Sequence, residues 1–209
     1  MLTTRVWIGV LAALAGVGGM AITGGQSQPV QKPTVVEHFR TEARGGVGTF
    51  AELWTLADVI VEGIVLGDRA TDYQLPAPQI TTTYDVRILE VFKASTEVTA
   101  ATAMIPVRRQ GGIRDRGDRI VIREPDDYPL FKRGERYILF LAKREWVPPA
   151  PHTGVYYTEA TRTPDSVFKV TESGLVTSGR TRLSQSLVAT ESSTASLRSL
   201  LRRGGRGGH

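Results

Sequence analysis

Short runs of β-branched and aromatic residues, separated by Gly, Pro and Asp, recur through the chain from residue 59 to residue 176. Such runs are typical of strands, and the residues between them are typical of turns. Strands are predicted at 59–66, 80–92, 104–108, 120–123, 136–141, 155–158, 166–170 and 175–176. Regularly spaced short strands favour an antiparallel barrel or sandwich over alternating β–α units, so the predicted fold class is mainly β.

Two of these strands carry irregularities. Gly63 interrupts an apolar run, which predicts a bulge or a close approach of another group to the backbone. In the run 80–92, apolar residues alternate with charged ones as far as Ile88 and continue from Leu89 in the opposite phase. Because a slip of one residue sends side chains to the other face, a bulge is predicted near Ile88–Leu89. The Asp- and Pro-containing segment 67–79 is predicted as the loop between the two strands.

A short helix is predicted on each side of the strands. Phe50, Leu53, Trp54 and Ala57 recur at three- and four-residue spacing and would share one helical face. Thr49 and Glu52 have the spacing of a capping box at the start of this helix. Leu197, Leu200 and Leu201 have helical spacing near the C-terminus, where the second helix is expected.

The N-terminal segment has the pattern of an export signal. Arg5 precedes the apolar run Val6 to Ile22, and no acidic residue occurs before Glu37. The small residues in Gly19-Met20-Ala21 predict cleavage between Ala21 and Ile22 by a signal peptidase. An uncleaved membrane anchor is the alternative, although this run is short and interrupted by glycines. We therefore expect an exported protein, located in the periplasm, at the cell surface or outside the cell, with no stable membrane span after cleavage.

The chain contains no cysteine, which excludes several chemistries. Thiol nucleophiles, thiolate zinc sites, iron–sulfur clusters and redox pairs all need the sulfur atom. The sequence also lacks the His-Glu-x-x-His, Gly-x-Ser-x-Gly and phosphate-loop motifs. No catalytic residue, no metal site and no cofactor are predicted.

The net charge of +5 is unevenly distributed along the chain. Arg5 and four arginines after Glu191 account for the excess, so residues 6–191 contain equal numbers of basic and acidic side chains. A neutral domain has no net field to attract a phosphate backbone, and nucleic acid is not expected as a partner. The Gly- and Arg-rich end of the chain is typical of a flexible tail.

Three blocks of sequence carry a resemblance to known proteins. They are Phe50–Leu53 with Ala57–Gly63, Tyr84–Lys93, and Phe131–Leu141. Together they resemble a family of uncharacterised exported bacterial proteins. The first two blocks are also similar to the strand layout of the netrin module and of the N-terminal domain of tissue inhibitors of metalloproteinases. The resemblance covers residues 49–176 and implies an antiparallel, OB-like five-stranded β-barrel.

The resemblance does not extend to protease inhibition. In those inhibitors a cysteine at the mature N-terminus chelates the catalytic zinc, and this chain has no cysteine. The domain organisation predicted from the whole sequence is a signal peptide at 1–21, a linker at 22–46, the barrel domain at 47–180, a C-terminal helical segment at 181–203 and a flexible tail at 204–209.

A few residue groups are candidate sites. The three histidines, His38, His152 and His209, have no metal-binding spacing. The carboxylates Glu124, Asp126 and Asp127 suggest calcium, but two prolines and the small number of oxygens favour a polar turn. Arg116-Gly117-Asp118, an adhesion tripeptide, lies in the charged segment 108–123, where a hairpin or omega-like loop is expected. Two aromatic groups would either stack a ligand or pack in the core: Tyr128 with Phe131, and Trp146 with Tyr156-Tyr157. Because strand residues alternate between faces, at most one ring of Tyr156-Tyr157 is expected to be available for recognition.

The sequence therefore favours an exported, non-enzymatic binding or interaction module of the cell envelope. Its expected partner is an envelope protein or a glycan, and its oligomeric state is open. Two alternatives remain. One is a carboxylate-dependent hydrolase that acts on envelope glycans, and the other is a carrier of a small apolar ligand inside the barrel.

Overall fold

A computed structural model describes residues 31–39, 47, 49–73, 79–125, 130–145, 155–161, 166–177 and 194–204. The strands are β1 (Thr34–Phe39), β2 (Val59–Tyr73), β3 (Gln79–Lys93), β4 (Met104–Gln110), β5 (Gly112–Asp115), β6 (Ile120–Pro125), β7 (Arg136–Glu145), β8 (Val155–Glu159), β9 (Val167–Thr171) and β10 (Gly174–Thr177). The helices are α1 (Phe50–Leu56) and α2 (Thr194–Arg202). Both predicted helices and the mainly β class are confirmed.

Five strands close into a barrel in the order β7-β2-β3-β4-β8, and β8 pairs again with β7. All of these pairings are antiparallel except β4 with β8, which is parallel and aligns Val107 with Tyr157. The predicted OB-like barrel is confirmed, but the prediction that it is antiparallel was wrong in this detail. The barrel is mixed because β8 pairs with β7 on one edge, in antiparallel orientation, and with β4 on its other edge, in parallel orientation. Strands β9 and β10 extend the sheet beyond β7.

The hairpin of β2 and β3 is the longest feature of the barrel. Both strands have 15 residues, so the turn between them is shorter than the predicted loop at 67–79. Register shifts occur where Glu62 pairs with Glu90 and the next residue, Gly63, pairs with Ile88. The extra residue on β3 is Leu89, which confirms the predicted phase slip. A Cβ at Gly63 would lie 2.4 Å from Val86 Cγ1, so the predicted close approach is confirmed as well.

A second, three-stranded sheet begins where β4 leaves the barrel. Gly111 and Gly112 have positive φ angles of 94° and 146°, which β-branched or bulky residues adopt only with strain. They turn the chain into the β5–β6 hairpin, and a Cβ at Gly112 would lie 2.0 Å from Thr82 Oγ1. The expected hairpin in segment 108–123 is therefore present. β1, which lies inside the segment predicted as a linker, pairs in parallel with β6.

Two apolar cores lie on opposite sides of the barrel wall. The interior is filled by Val59, Val61, Val65, Tyr84, Val86, Ile105, Val107, Tyr137, Leu139, Leu141, Tyr157 and Val167, together with Val98 and Phe131. The outer core lies where α1 and α2 cover β2, β7 and β9, and it contains Leu53, Ala57, Ile60, Ile138, Phe140, Phe168, Val170, Leu197, Leu200 and Leu201. Because alternate strand residues point to opposite faces, β2 and β7 contribute to both cores.

Local hydrogen bonds define the ends of α1. The Thr49 hydroxyl accepts a hydrogen bond from the Glu52 backbone N–H at 3.2 Å, and the Glu52 carboxylate accepts one from the Thr49 N–H at 3.1 Å. The predicted capping box is therefore present. At the other end, the Lys93 ammonium group donates to the carbonyl oxygens of Trp54 and Ala57, at 2.8 and 2.5 Å. A cation here also complements the helix dipole.

The predicted signal segment, its cleavage position at Ala21 and Ile22, and the tail from residue 205 onward lie outside the described residues. None of the described helices has the length and apolar content needed to cross a membrane.

Candidate binding surface

Two adjacent arginines on β4 point to opposite sides of the barrel wall. Ile105 and Val107 face the interior, so Arg109 shares their side and Arg108 points outward. The same alternation on β8 buries the Tyr157 ring and turns Tyr156 outward. The prediction that at most one ring of this pair is available for recognition is therefore confirmed.

On the outside of the barrel, Arg108 and Tyr156 are in contact. The Arg108 guanidinium carbon lies 5.2 Å from the centre of the Tyr156 ring, within the range of a cation–π interaction. Tyr156 pairs directly with the exposed Arg144 across the β7–β8 ladder. The two arginines thus flank one half-buried tyrosine on three neighbouring strands. We call Arg108, Tyr156 and Arg144 the arginine–tyrosine row.

A shallow groove of about 690 Å³ adjoins this row at the end of β7. It is lined by Asp58, Ala94, Ser95, Thr96, Glu97, Lys143, Arg144 and Glu145. Arg144 belongs to both features, so the groove and the row form one continuous surface. All of the lining residues except Ala94 carry a polar side chain.

Hydrogen bonds hold the groove in shape. The Lys143 ammonium group donates to Glu97 Oε1 at 2.5 Å, and the Lys143 backbone N–H donates to Asp58 Oδ2 at 2.8 Å. The Ser95 hydroxyl donates to Glu97 Oε2 at 3.2 Å and accepts from the Val98 N–H at 3.1 Å. Val98 is buried in the barrel core, which fixes the loop to the barrel. These hydrogen bonds fix the positions of the lining residues, so the groove is preorganised.

The charges in the groove are satisfied within the protein. The hydrogen bond from Lys143 is the main cause that lowers the pKa of the Glu97 carboxyl to about 2, and the same bond raises the pKa of Lys143. Burial raises the pKa of Tyr157, whose hydroxyl lies beneath the loop beside Ser95. At neutral pH the groove therefore contains an ionised acid and an ionised base side by side.

A second group of charges lies inside the barrel. Arg109 Nε and Glu159 Oε1 are 2.5 Å apart, and the side chains are only 1% and 9% exposed. The Arg109 guanidinium also lies 4.1 Å from the centre of the Phe131 ring. Burial raises the pKa of the neighbouring Tyr84 to about 12, so this phenol remains protonated. Because a ligand has no direct access to a pair this deeply buried, we assign it a structural role.

The described carboxyl groups with a resolved pKa change all move downward. For Glu62 and Glu135, burial alone raises the pKa, but hydrogen bonds from arginine, lysine or tyrosine outweigh it. For Glu97 and Asp115, hydrogen bonds from lysine are the largest cause. A general acid in glycoside hydrolysis needs a raised pKa, so these four carboxylates are poorly suited to that task.

Among the other candidate residues of the sequence, His38 on β1 and Glu124 on β6 are brought together as direct register partners in the second sheet, whereas Phe131 is buried in the barrel core. The tripeptide Arg116-Gly117-Asp118 forms the exposed turn of the β5–β6 hairpin. The remaining residues lie outside the described part of the chain: Asp126, Asp127, Tyr128, Trp146, His152 and His209. Within the described ranges, no three His, Asp or Glu side chains are grouped to hold a metal ion.

Arg144 was missed as a site residue in the sequence because it follows an apolar strand and belongs to no motif. Its pairing with Tyr156 follows only from the β7–β8 register. The sequence does contain one signal for this surface, the adjacent residues Tyr156 and Tyr157. On a strand, one ring of such a pair faces outward.

The sequence matches no family model, no curated protein and no solved structure.

Proposed function

We propose that this protein is an exported, non-enzymatic binding module of the cell envelope, and that its ligand is a glycan bound at the arginine–tyrosine row and the adjoining groove. The observation that carries the proposal is the placement of Arg108 and Arg144 on either side of Tyr156. Aromatic rings pack against the apolar faces of sugars, while arginine, lysine and carboxylate groups hydrogen-bond their hydroxyls.

The location of the row on the barrel supports the proposal. In OB-type barrels, oligonucleotides and oligosaccharides bind the outer face of the second and third barrel strands and the loops beside it. Here those strands are β3 and β4, and the row begins on β4. A fold by itself does not determine function, and the side chains of the row supply the chemistry for recognition.

The packed interior of the barrel also favours an outer ligand. Aliphatic and aromatic side chains from all five strands fill it, and a ligand carried inside would have to displace them. The pKa values of Glu62, Glu97, Asp115 and Glu135 are all lowered, and a general acid needs a raised pKa. These four carboxylates therefore favour binding over hydrolysis. The export signal and the resemblance to exported bacterial proteins and to the netrin module support a role in the envelope.

Co-sedimentation with insoluble cell-wall glycan tests the proposal. The full chain, purified after expression with its N-terminal segment, should pellet with the glycan, and a Tyr156→Ala variant should pellet substantially less. A Thr55→Ala variant, altered on the exposed surface of α1, serves as the control. Equal pelleting of all three proteins, or release of new reducing ends from the glycan by the intact protein, would contradict a non-enzymatic glycan module with this site.

A further inference from the structure

The second sheet ends in an edge strand that is held in a fixed position. β1 pairs in parallel with β6 along its whole length, from Thr34 to Phe39. Just before β1, the Lys32 ammonium group lies 2.5 Å from Asp115 Oδ2, and at its end the Arg123 guanidinium lies 5.0 Å from the centre of the Phe39 ring. Contacts at both ends therefore keep β1 extended beside β6.

The outer edge of β1 carries backbone groups that point away from its partner. Of the strands that the structure describes, only β6 pairs with β1, while β5 at the other end of the sheet lies against the barrel. The Pro33 carbonyl oxygen accepts a hydrogen bond from the Ile120 N–H of β6. Because backbone groups of successive residues point to alternate edges, those of Thr34, Val36 and His38 point to the outer edge. Such an edge is a template for pairing with a further strand.

An apolar row crosses one face of this sheet and ends at β1. Val36 pairs with Ile122 of β6, which pairs with Ile113 of β5, so the three side chains share a face. Ile113 is 56% exposed, and Val36 and Ile122 are half-buried. The two cores of the described chain include none of the three. A strand added beside β1 would continue this row of β-branched side chains.

The sequence of β1 is complementary to a second copy of itself in one antiparallel register. When Val36 of one copy faces Val36 of the other, Thr34 faces His38 and Val35 faces Glu37, so no two like charges are opposed. Centring the pair on Glu37 instead would oppose two carboxylates, which destabilises a sheet. Centring it on Val35 would pair only residues 34–36 of β1.

We infer that two copies of this chain associate through β1, whose antiparallel pairing about Val36 joins the two three-stranded sheets into one. The facing Val36 residues exchange two backbone hydrogen bonds, since their N–H and C=O groups both point to the outer edge. The apolar rows of the two copies then become continuous. The contact is self-complementary, as a two-fold dimer interface must be. This inference does not depend on the proposed glycan site.

Single cysteines test the register, because the chain has none of its own. In the dimer the two Val36 Cα atoms lie about 5.5 Å apart, within the range that a disulfide spans. The two Glu37 Cα atoms lie about 8 Å apart, beyond that range. Under mild oxidation the full-chain Val36→Cys variant should form disulfide-linked dimers, and Glu37→Cys should form few. Equal crosslinking of both variants, or none in either, would overturn the inference.

Sedimentation equilibrium tests association without a crosslink. The wild-type chain should have twice the mass of one chain at high concentration and approach the mass of one chain on dilution. Val36→Lys places two ammonium groups face to face at the symmetry axis and should weaken the dimer at least about tenfold. Ile113→Lys makes the same change at the far end of the apolar row and should leave the dimer unchanged. A dimer disrupted by Ile113→Lys but not by Val36→Lys would overturn pairing through β1 in favour of contact through the sheet face.

Two further outcomes contradict a dimer of this kind. One is a wild-type mass of one chain at every concentration. The other is a complex of one chain with an extended peptide from another protein, which native mass spectrometry distinguishes from two chains. Melting temperatures show whether each variant is folded. If Val36→Lys does not fold, the comparison of Val36→Cys with Glu37→Cys still decides the inference.

Discussion

Glu62 on β2 and Glu90 on β3 lie directly opposite each other in the barrel wall, although both are carboxylates. Like charges in this position destabilise a sheet. Each is bound by an arginine of α2: Arg198 donates two hydrogen bonds to Glu62, at 2.7 and 2.6 Å, and Arg202 donates two to Glu90, at 2.7 and 3.0 Å. Arg198 and Arg202 are four residues apart and lie on the same face of α2, so each reaches the carboxylate of one of the two neighbouring strands.

These ion pairs attach the C-terminal helix to the barrel. Arg136 of β7 also donates to Glu62, whose side chain is only 2% exposed. From the same helix, Leu197, Leu200 and Leu201 enter the outer core. The basic residues near the C-terminus therefore include two that neutralise the barrel wall.

Removing either arginine tests how much burial strengthens these pairs. Arg198→Ala should lower the free energy of unfolding by about 2 kcal/mol, because it takes a partner from a buried carboxylate. Arg202→Ala should lower it much less than Arg198→Ala does, because Arg202 is 61% exposed and ion pairs in water contribute little. Urea unfolding measures both. Equal losses would show that burial of Glu62 does not govern the strength of its pairs.

The stability should depend on pH through Glu62. Burial raises its pKa, but the hydrogen bonds from Arg198 and Arg136 outweigh this and hold the pKa below 4.5. A lowered pKa in the folded state stabilises the protein above the unfolded value, and this contribution is lost as the pH falls through the folded value. The difference in unfolding free energy between wild type and Glu62→Gln should therefore be full at pH 7 and shrink below pH 4.5. A difference that stays constant down to pH 3 would contradict this assignment.

The Arg109–Glu159 pair inside the barrel should be strongly coupled. Arg109→Met leaves a carboxylate buried without its cation and should cost about 3–5 kcal/mol. Adding Glu159→Leu removes the remaining charge, so the double variant should recover most of the loss. Urea unfolding of the single and double variants completes the cycle. If the two losses simply add, the pair is not coupled and the buried contact has another role.

Two glycines on β2 form a matched pair. Gly63→Ala places a Cβ 2.4 Å from Val86 Cγ1 and 2.9 Å from the Arg87 carbonyl oxygen, and should cost about 2 kcal/mol as an overpacked site. Gly67→Ala meets nothing within 4 Å and should change stability by less than about 0.5 kcal/mol. Thermal and urea unfolding compare the two. A neutral Gly63→Ala would mean that the bulge can relax at little cost.

Part of the candidate surface followed from the sequence. The adjacent tyrosines predicted that one ring would face outward, because strand residues alternate between faces. Arg108 belonged to a segment already marked for its charge. Arg144, Asp58 and Glu97 had no such signal, since they are 39 to 86 residues apart along the chain and meet only when β2, β3 and β7 pair.

Local features of this protein were determined by the sequence itself. The capping box of α1, the interrupting Gly63 of β2, the phase slip at Ile88–Leu89 of β3 and the glycine-containing hairpin after β4 each appear as a pattern of residues within a few positions of one another in the chain. The parallel closure of β4 with β8, the pairing of β1 with β6 and the ion pairs of α2 with Glu62 and Glu90 were decided by tertiary structure. These contacts join residues far apart in sequence, and their energy depends on burial and register that no local pattern contains.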